Sequence, residues 1–307
     1  MTSTAFLFPG QGSQQAGMGK ELFEQEPAAR AVFEEADEAL GFSLSTLCFE
    51  GPNSELALTA NTQPAILTTS VAALAVLRDK TGIVPTLAMG HSLGEFSALV
   101  AVGALRFADA VRLVRIRGEA MQQAVPAGVG AMAAIIGMDP EALEAACAEA
   151  AQGQVCSPAN ENGGGQIVVA GHAEAVDRLA ALAKSRKARA VPLKVSAPFH
   201  CALMKPAADR LAEALADIEI GPMSAPVVTN VEAEPNDDSA RVKELLVRQV
   251  TERVRWEPSV RTAVRMGVQR GIEVGHGKVL AGLVRRIARD LSIVGAASPA
   301  DIAVLEA

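Results

Sequence analysis

Short apolar runs alternate with longer amphipathic stretches along the chain, the pattern of an α/β protein built on a mostly parallel sheet. Residues 5–8 read as a first strand that runs into the turn Pro9-Gly10-Gln11-Gly12-Ser13. Positions 22–40 and 63–77 read as helices. A short strand at 86–89 leads directly into a helix at 93–102, and a further helix covers 107–125.

Beyond residue 130 the rhythm changes to strand 131–136, helix 140–151, strand 155–159, strand 166–169, helix 173–184 and strand 190–195. That βαββαβ order predicts a small ferredoxin-like unit. Gly163-Gly164-Gly165 would turn the chain between its middle strands. A helix at 202–218, a strand at 226–230, a polar loop at 232–239 and a helix from 241 follow. Last come a strand at 271–274 and a helix at 279–289. No internal repeat or low-complexity tract intervenes. The expected architecture is a discontinuous α/β domain, residues 1–127 and 197–307, interrupted by a ferredoxin-like domain at 128–196.

Half of the 307 residues are hydrophobic and 21% are charged, enough apolar material for one large core and a smaller satellite. Nine Phe, one Trp and no Tyr leave most packing to aliphatic residues, and offer poor material for stacking single-stranded nucleic acid. A formal net charge of −7 argues against nucleic acid or an anionic membrane as main partner. Cys48, Cys147, Cys156 and Cys201 lack CxxC or Cys/His ligand spacing and read as inert thiols in a reducing compartment. The N-terminus lacks a charged-then-apolar leader. The longest apolar runs are cut by Thr68-Thr69-Ser70, or by His91 and Glu95, short of the ~18 residues of a membrane span. The expectation is a soluble, cytoplasmic chain in which nothing demands more than a monomer.

The chemistry centres on Gly90-His91-Ser92-Leu93-Gly94, a G-x-S-x-G motif placed between a predicted strand and a predicted helix. Such a turn pushes the Ser hydroxyl into a cleft, and the next helix offers its positive end to a developing oxyanion. Ser92 is the candidate nucleophile, and the Leu93 N–H the first oxyanion donor. The base should be a histidine. His91 diverges from the Ser on the turn, and His172 lies far along the chain. His200 and His276 both follow strands at the rim where parallel sheets bind ligands, and spacing does not choose between them. Gly10-Gln11-Gly12-Ser13-Gln14-Gln15 lacks the third glycine of a dinucleotide fingerprint.

Together Phe8-Pro9-Gly10-Gln11-Gly12-Ser13-Gln14, Gly90-His91-Ser92-Leu93-Gly94-Glu95, Arg117-Gly118 and Phe199-His200 resemble the malonyl-coenzyme A:acyl-carrier-protein transacylases of fatty acid synthesis. The runs 130–135 and 200–206, and Gln249 ahead of Val254-Arg255-Trp256, extend the likeness over essentially the whole chain. The resemblance implies an α/β-hydrolase-like domain carrying the ferredoxin-like insert. It also implies His200 as base in a Ser–His dyad, oriented by the Gln249 backbone carbonyl, with Gln11 and Leu93 as oxyanion donors. The implied substrates are malonyl-coenzyme A and acyl-carrier protein, with no metal or bound cofactor. The late turn departs from the family's Gly-Pro-Gly, reading Gly275-His276-Gly277.

On a helical wheel for 107–125, Arg117 projects from the apolar sector between Leu113 and Met121, while Arg112, Arg115 and Glu119 fall opposite. A buried guanidinium must meet a carboxylate. That partner is either an Asp or Glu of the protein or, as the resemblance implies, the free carboxylate of malonyl. Phe199 would crowd a 2-methyl substituent in the same pocket. Lys184, Arg186, Lys187 and Arg189, with Arg285, Arg286 and Arg289, are candidate landing sites for an acidic carrier protein. Two other readings share the motif: a serine hydrolase or thioesterase, and a discrete acyltransferase serving a polyketide synthase.

Overall fold

The computed structural model describes residues 3–193 and 195–306. Its strands, in chain order, are β1 (Thr4–Phe8), β2 (Leu87–Gly90), β3 (Gly130–Ile136), β4 (Cys156–Gly163), β5 (Gln166–His172), β6 (Arg189–Pro192), β7 (Val227–Val228), β8 (Pro235–Asn236), β9 (Arg270–Val274) and β10 (Ser292–Ala296). Six of them form a large sheet in the order β10-β9-β1-β2-β7-β8, parallel except for β8. The other four form an antiparallel sheet, β4-β5-β3-β6. The mixed α/β class with a mostly parallel sheet is as expected.

The central strand β1 is buried throughout, as a strand covered on both faces must be. Its alternation divides the core: Phe6 and Phe8 point into one apolar cluster with Ala88 and Ile272, Ala5 and Leu7 into another with Trp256 and Val260. The small sheet is split in the same way. Ala133, Ile135, Ile167 and Val169 pack under the helices Pro140–Ala151 and Ala173–Ser185. Met132, Ala134, Val168 and Ala170 face the main core instead. One backbone bridge joins the two sheets' territories: Glu161 N–H donates to Val254 O and Val254 N–H to Ala159 O, each at 2.8 Å.

Several boundaries differ from expectation. The helix at 22–40 is two, Lys20–Gln25 and Pro27–Leu40, because Pro27 lacks an N–H and opens the second. The helix at 202–218 starts as the 3₁₀ turn Ala202–Met204 and continues as Lys205–Leu215. The strand expected at 190–195 ends at Pro192, and its Lys194 lies outside the described residues. The fold adds helices Leu44–Glu50 and Trp256–Arg265 and strand β10, which the sequence pattern does not predict.

A larger correction concerns the helix Thr59–Thr81. By length and composition it could cross a bilayer, since Thr68, Thr69 and Ser70 do not break its apolar character. In the fold, 89% of its most apolar window is buried inside the protein. Pro64 leaves the Ala60 carbonyl without its helical donor, and Arg115 Nη1 bonds that carbonyl at 3.1 Å. Arg115 is thereby half-buried rather than fully solvated.

Candidate active site

The turn after β2 depends on two close approaches. A Cβ on Gly90 would lie 1.9 Å from the Gly94 carbonyl carbon, and one on Gly94 would lie 2.0 Å from Phe8 O. Without side chains there, the helix Gly94–Ala101 starts directly against the end of β1. Ser92 sits at φ 51°, a left-handed conformation that is strained for a non-glycine residue. Asn230 holds it, accepting from Ser92 N–H at 2.6 Å and donating Nδ2 to Gly90 O at 2.7 Å. Gln249 Nε2 donates to Ser92 O at 3.0 Å.

Ser92 Oγ lies 2.7 Å from His200 Nε2, and His200 Nδ1 lies 2.8 Å from the Gln249 carbonyl oxygen. A carbonyl can only accept, so Nδ1 carries the proton and Nε2 presents a lone pair to the serine hydroxyl. Burial, and then the positive charge of Arg117, pull the His200 pKa down to about 3, so the imidazole is neutral at neutral pH. The other histidines stand elsewhere. His276 follows Gly275, where an added Cβ would lie 2.4 Å from Ser70 Oγ and 3.3 Å from Pro9 Cγ. His172 accepts from Val155 N–H. His91 pairs with Asn162 Oδ1 at 2.9 Å and lies 5.6 Å from the Trp256 ring.

Arg117 is 1% exposed, as the wheel placed it. Its neighbour Gly118 makes this possible, since a Cβ there would come 2.6 Å from Thr59 O and push the two helices apart. Arg117 Nη1 donates to Gln63 Oε1 at 2.7 Å, and Nη2 to Gln249 Oε1 at 2.9 Å and Ser92 Oγ at 3.2 Å. The guanidinium lies 5.6 Å from the Phe96 ring centre. Among the described residues no carboxylate bonds it directly, so of the two alternatives the Asp or Glu of the protein is not found in contact with it. Glu95 is one amide away: its Oε2 accepts from Gln249 Nε2 at 2.7 Å and from Asn230 N–H at 3.0 Å. Burial raises the Glu95 pKa to about 7 and lowers that of Arg117 to about 10.

These groups open on a cavity of about 210 Å³. Ser92, His200 and Arg117 form its polar floor, and Met121, Met132, Val168 and Phe199 are among its apolar walls. Gln11 and Leu93 line it too, and neither backbone N–H has a partner among the described residues. A neutral base on a serine hydroxyl, free N–H donors and a cation in a small, half-apolar cavity are equipped to form and hold an acyl ester.

The sequence profile of the acyl transferase domain family matches residues 5–303. The malonyl CoA-acyl carrier protein transacylase of Bacillus subtilis (strain 168) is 51% identical over 304 residues, covering 98% of this chain and 96% of that protein. The chain belongs to the malonyl CoA-acyl carrier protein transacylase family of acyltransferases. The Escherichia coli (strain K12) transacylase is 50% identical over 304 residues, 99% of this chain and 98% of that one. Among solved structures, the acyl carrier protein S-malonyltransferase of Vibrio cholerae superposes with a TM-score of 0.96 at 47% identity, over 99% of this chain and 100% of that one. A malonyl-transacylase in complex with a type II PKS acyl-carrier protein gives 0.96 at 46% identity, over 99% of each chain.

Within this transacylase site, four residues escaped the sequence reading. Asn230 and Gln63 reach it from remote segments with no local signature. Asn162 arrives on β4 to meet His91. Glu95 was visible in the run Gly90–Glu95, and a carboxylate inside an apolar helix was the available signal.

Proposed function

We propose that the chain transfers malonyl from malonyl-coenzyme A to the phosphopantetheine thiol of acyl-carrier protein, in fatty acid synthesis, through a malonyl-Ser92 ester. The observation that carries the reading is the buried guanidinium of Arg117, bonded directly by no carboxylate among the described residues, beside the Ser92–His200 pair. A hydrolase has no use for such a cation, whereas the malonyl carboxylate gives it a directly bonded anion.

His200 Nε2 takes the Ser92 proton as Oγ attacks the thioester carbon, and the N–H groups of Gln11 and Leu93 receive the oxyanion. The C–S bond breaks, coenzyme A leaves as the thiol with that proton, and the ester remains. In the second half the carrier thiol gives its proton to His200 and attacks the ester, and Ser92 leaves reprotonated. The Gln249 carbonyl keeps the imidazole in one tautomer through both halves. Every step uses groups of the chain and its two substrates, so none is routed through a metal or bound cofactor. Phe199 narrows the pocket against a 2-methyl group.

The working unit in this reading is a cytoplasmic monomer. Its catalytic domain comprises 1–127 and 197–307, and the insert 128–196 walls the cleft. Lys184, Arg186, Lys187 and Arg189 are exposed on the insert, Arg285, Arg286 and Arg289 are exposed at and just beyond the end of the helix Val279–Ile287, and in this reading they receive the carrier protein. Reversing two of these charges should slow transfer to carrier protein at low salt and leave Ser92 acylation unchanged.

Intact mass after brief mixing with malonyl-coenzyme A tests the whole reading. A malonyl adduct on the wild type, absent from Ser92→Ala and weak with acetyl-coenzyme A, is the expected result. Thioester consumption without an adduct would indicate a hydrolase.

A further inference from the structure

Two opposite charges are buried within one amide of each other beneath the cavity. Arg117 is 1% exposed and Glu95 is 2% exposed. Gln249 lies between them and is fully buried. Its Oε1 accepts from Arg117 Nη2, and its Nε2 donates to Glu95 Oε2 and to Ser92 O. Only one orientation of that amide satisfies all three partners, because the reverse would aim NH₂ at a guanidinium and oxygen at two acceptors. The amide therefore passes the carboxylate's negative charge towards the guanidinium.

Gln63 and Asn230, which complete the shell, are neutral. The titratable groups facing the cluster from the adjoining segments are His200 and His91, both held neutral by burial. Above pH 7 the protein's own groups thus balance one buried cation with one buried anion. A malonyl carboxylate bonded to Arg117 adds a second anion to the same low-dielectric volume, and two anions sharing one cation there are strongly disfavoured.

We propose that Glu95 is the resident counter-charge of Arg117 and that it takes up a proton when a carboxylate-bearing acyl group enters. This rests on the reading of Arg117 as the malonyl clamp. It makes Glu95 a specificity-determining residue that never touches substrate. An acyl group without a carboxylate leaves the Glu95–Gln249–Arg117 arrangement charged and intact, so it gains nothing from the clamp and moves no proton.

The test is calorimetric titration of the Ser92→Ala protein with malonyl-coenzyme A and acetyl-coenzyme A, in buffers of different ionisation enthalpy at about pH 8. Protons moved by the shared coenzyme A moiety cancel between the two ligands. Malonyl-coenzyme A should take up roughly one proton per site more than acetyl-coenzyme A. In Ser92→Ala/Glu95→Gln that difference should vanish while malonyl-coenzyme A still binds. Equal proton uptake for the two ligands in the Ser92→Ala protein overturns the proposal, and this arm needs no change at Glu95. A difference that survives Glu95→Gln also overturns it and moves the proton to His200 or another group. Failure of malonyl-coenzyme A to bind more tightly than acetyl-coenzyme A would instead reject the clamp itself.

Discussion

Ser92 and His200 meet at 2.7 Å although each holds a left-handed backbone, at φ 51° and 58°. Two strained residues persist in contact only where their surroundings over-determine them. Gln249 does this for both, with its carbonyl on the imidazole and its side chain on the serine carbonyl. Gln249→Ala keeps the carbonyl but strips the amide from Ser92, Arg117 and Glu95. Leaving buried partners unpaired should cost about 1–3 kcal/mol of stability. Malonyl kcat/KM should fall about 10²-fold. Denaturant midpoints and steady-state kinetics measure the two effects.

Arg117→Ala should invert the acyl preference. Malonyl loses its carboxylate partner while acetyl gains room, so the malonyl-to-acetyl ratio of kcat/KM should drop by about 10²–10⁴. Arg117→Lys should recover only part of it, because one ammonium cannot reproduce the planar fork. Competition between the two thioesters for Ser92, read by intact mass, gives the ratio directly.

The buried imidazole sets an unusual pH response. With its pKa pulled from 6.5 down to about 3, His200 stays unprotonated well below pH 6. Ser92 modification by a neutral phosphonofluoridate in a Glu95→Gln protein, which lacks the carboxyl that titrates at about 7, should show no inflection near 6.5, and finding one would contradict the assignment. The stability effect has a definite sign. Unfolded His200 binds a proton below 6.5 and folded His200 does not until about 3. This group therefore costs stability progressively as pH falls through that window. His200→Gln should remove that share of the slope in pH-dependent unfolding.

Gly94→Ala tests the close approach at the helix start. Its methyl would sit 2.0 Å from Phe8 O, on backbone that cannot give way locally. A loss of about 4 kcal/mol or more is expected. Soluble yield and thermal midpoint would report it, with Gly12→Ala, whose Cβ meets nothing within 4 Å but whose φ is 108°, as a milder comparison.

What the sequence disclosed was mostly local. Gly90 to Gly94 lie between a strand and a helix, so their pattern carries the turn within itself. Arg117 announced its burial by helical phase alone. The choice between His200 and His276 was not local, because it turns on which strand end faces Ser92, and family likeness rather than spacing pointed to His200. Asn230 and Gln63 were illegible for the same reason, each being a lone polar residue brought in by tertiary packing. The helix Trp256–Arg265 was hidden by Pro258 in its first turn, and β7 is shorter than expected because the chain turns back into β8.

The backbone bridge between β4 and Val254 has a consequence for anyone recombining these proteins. β4 carries Asn160 and Asn162 into the cavity, and Val254 follows Gln249 by five positions. A transplant of 128–196 into another scaffold would therefore take one side of this backbone bridge and leave the other behind. The exchangeable cassette is two separate pieces of chain, and a chimera designed on the contiguous segment alone would misalign the wall of the cleft opposite Ser92.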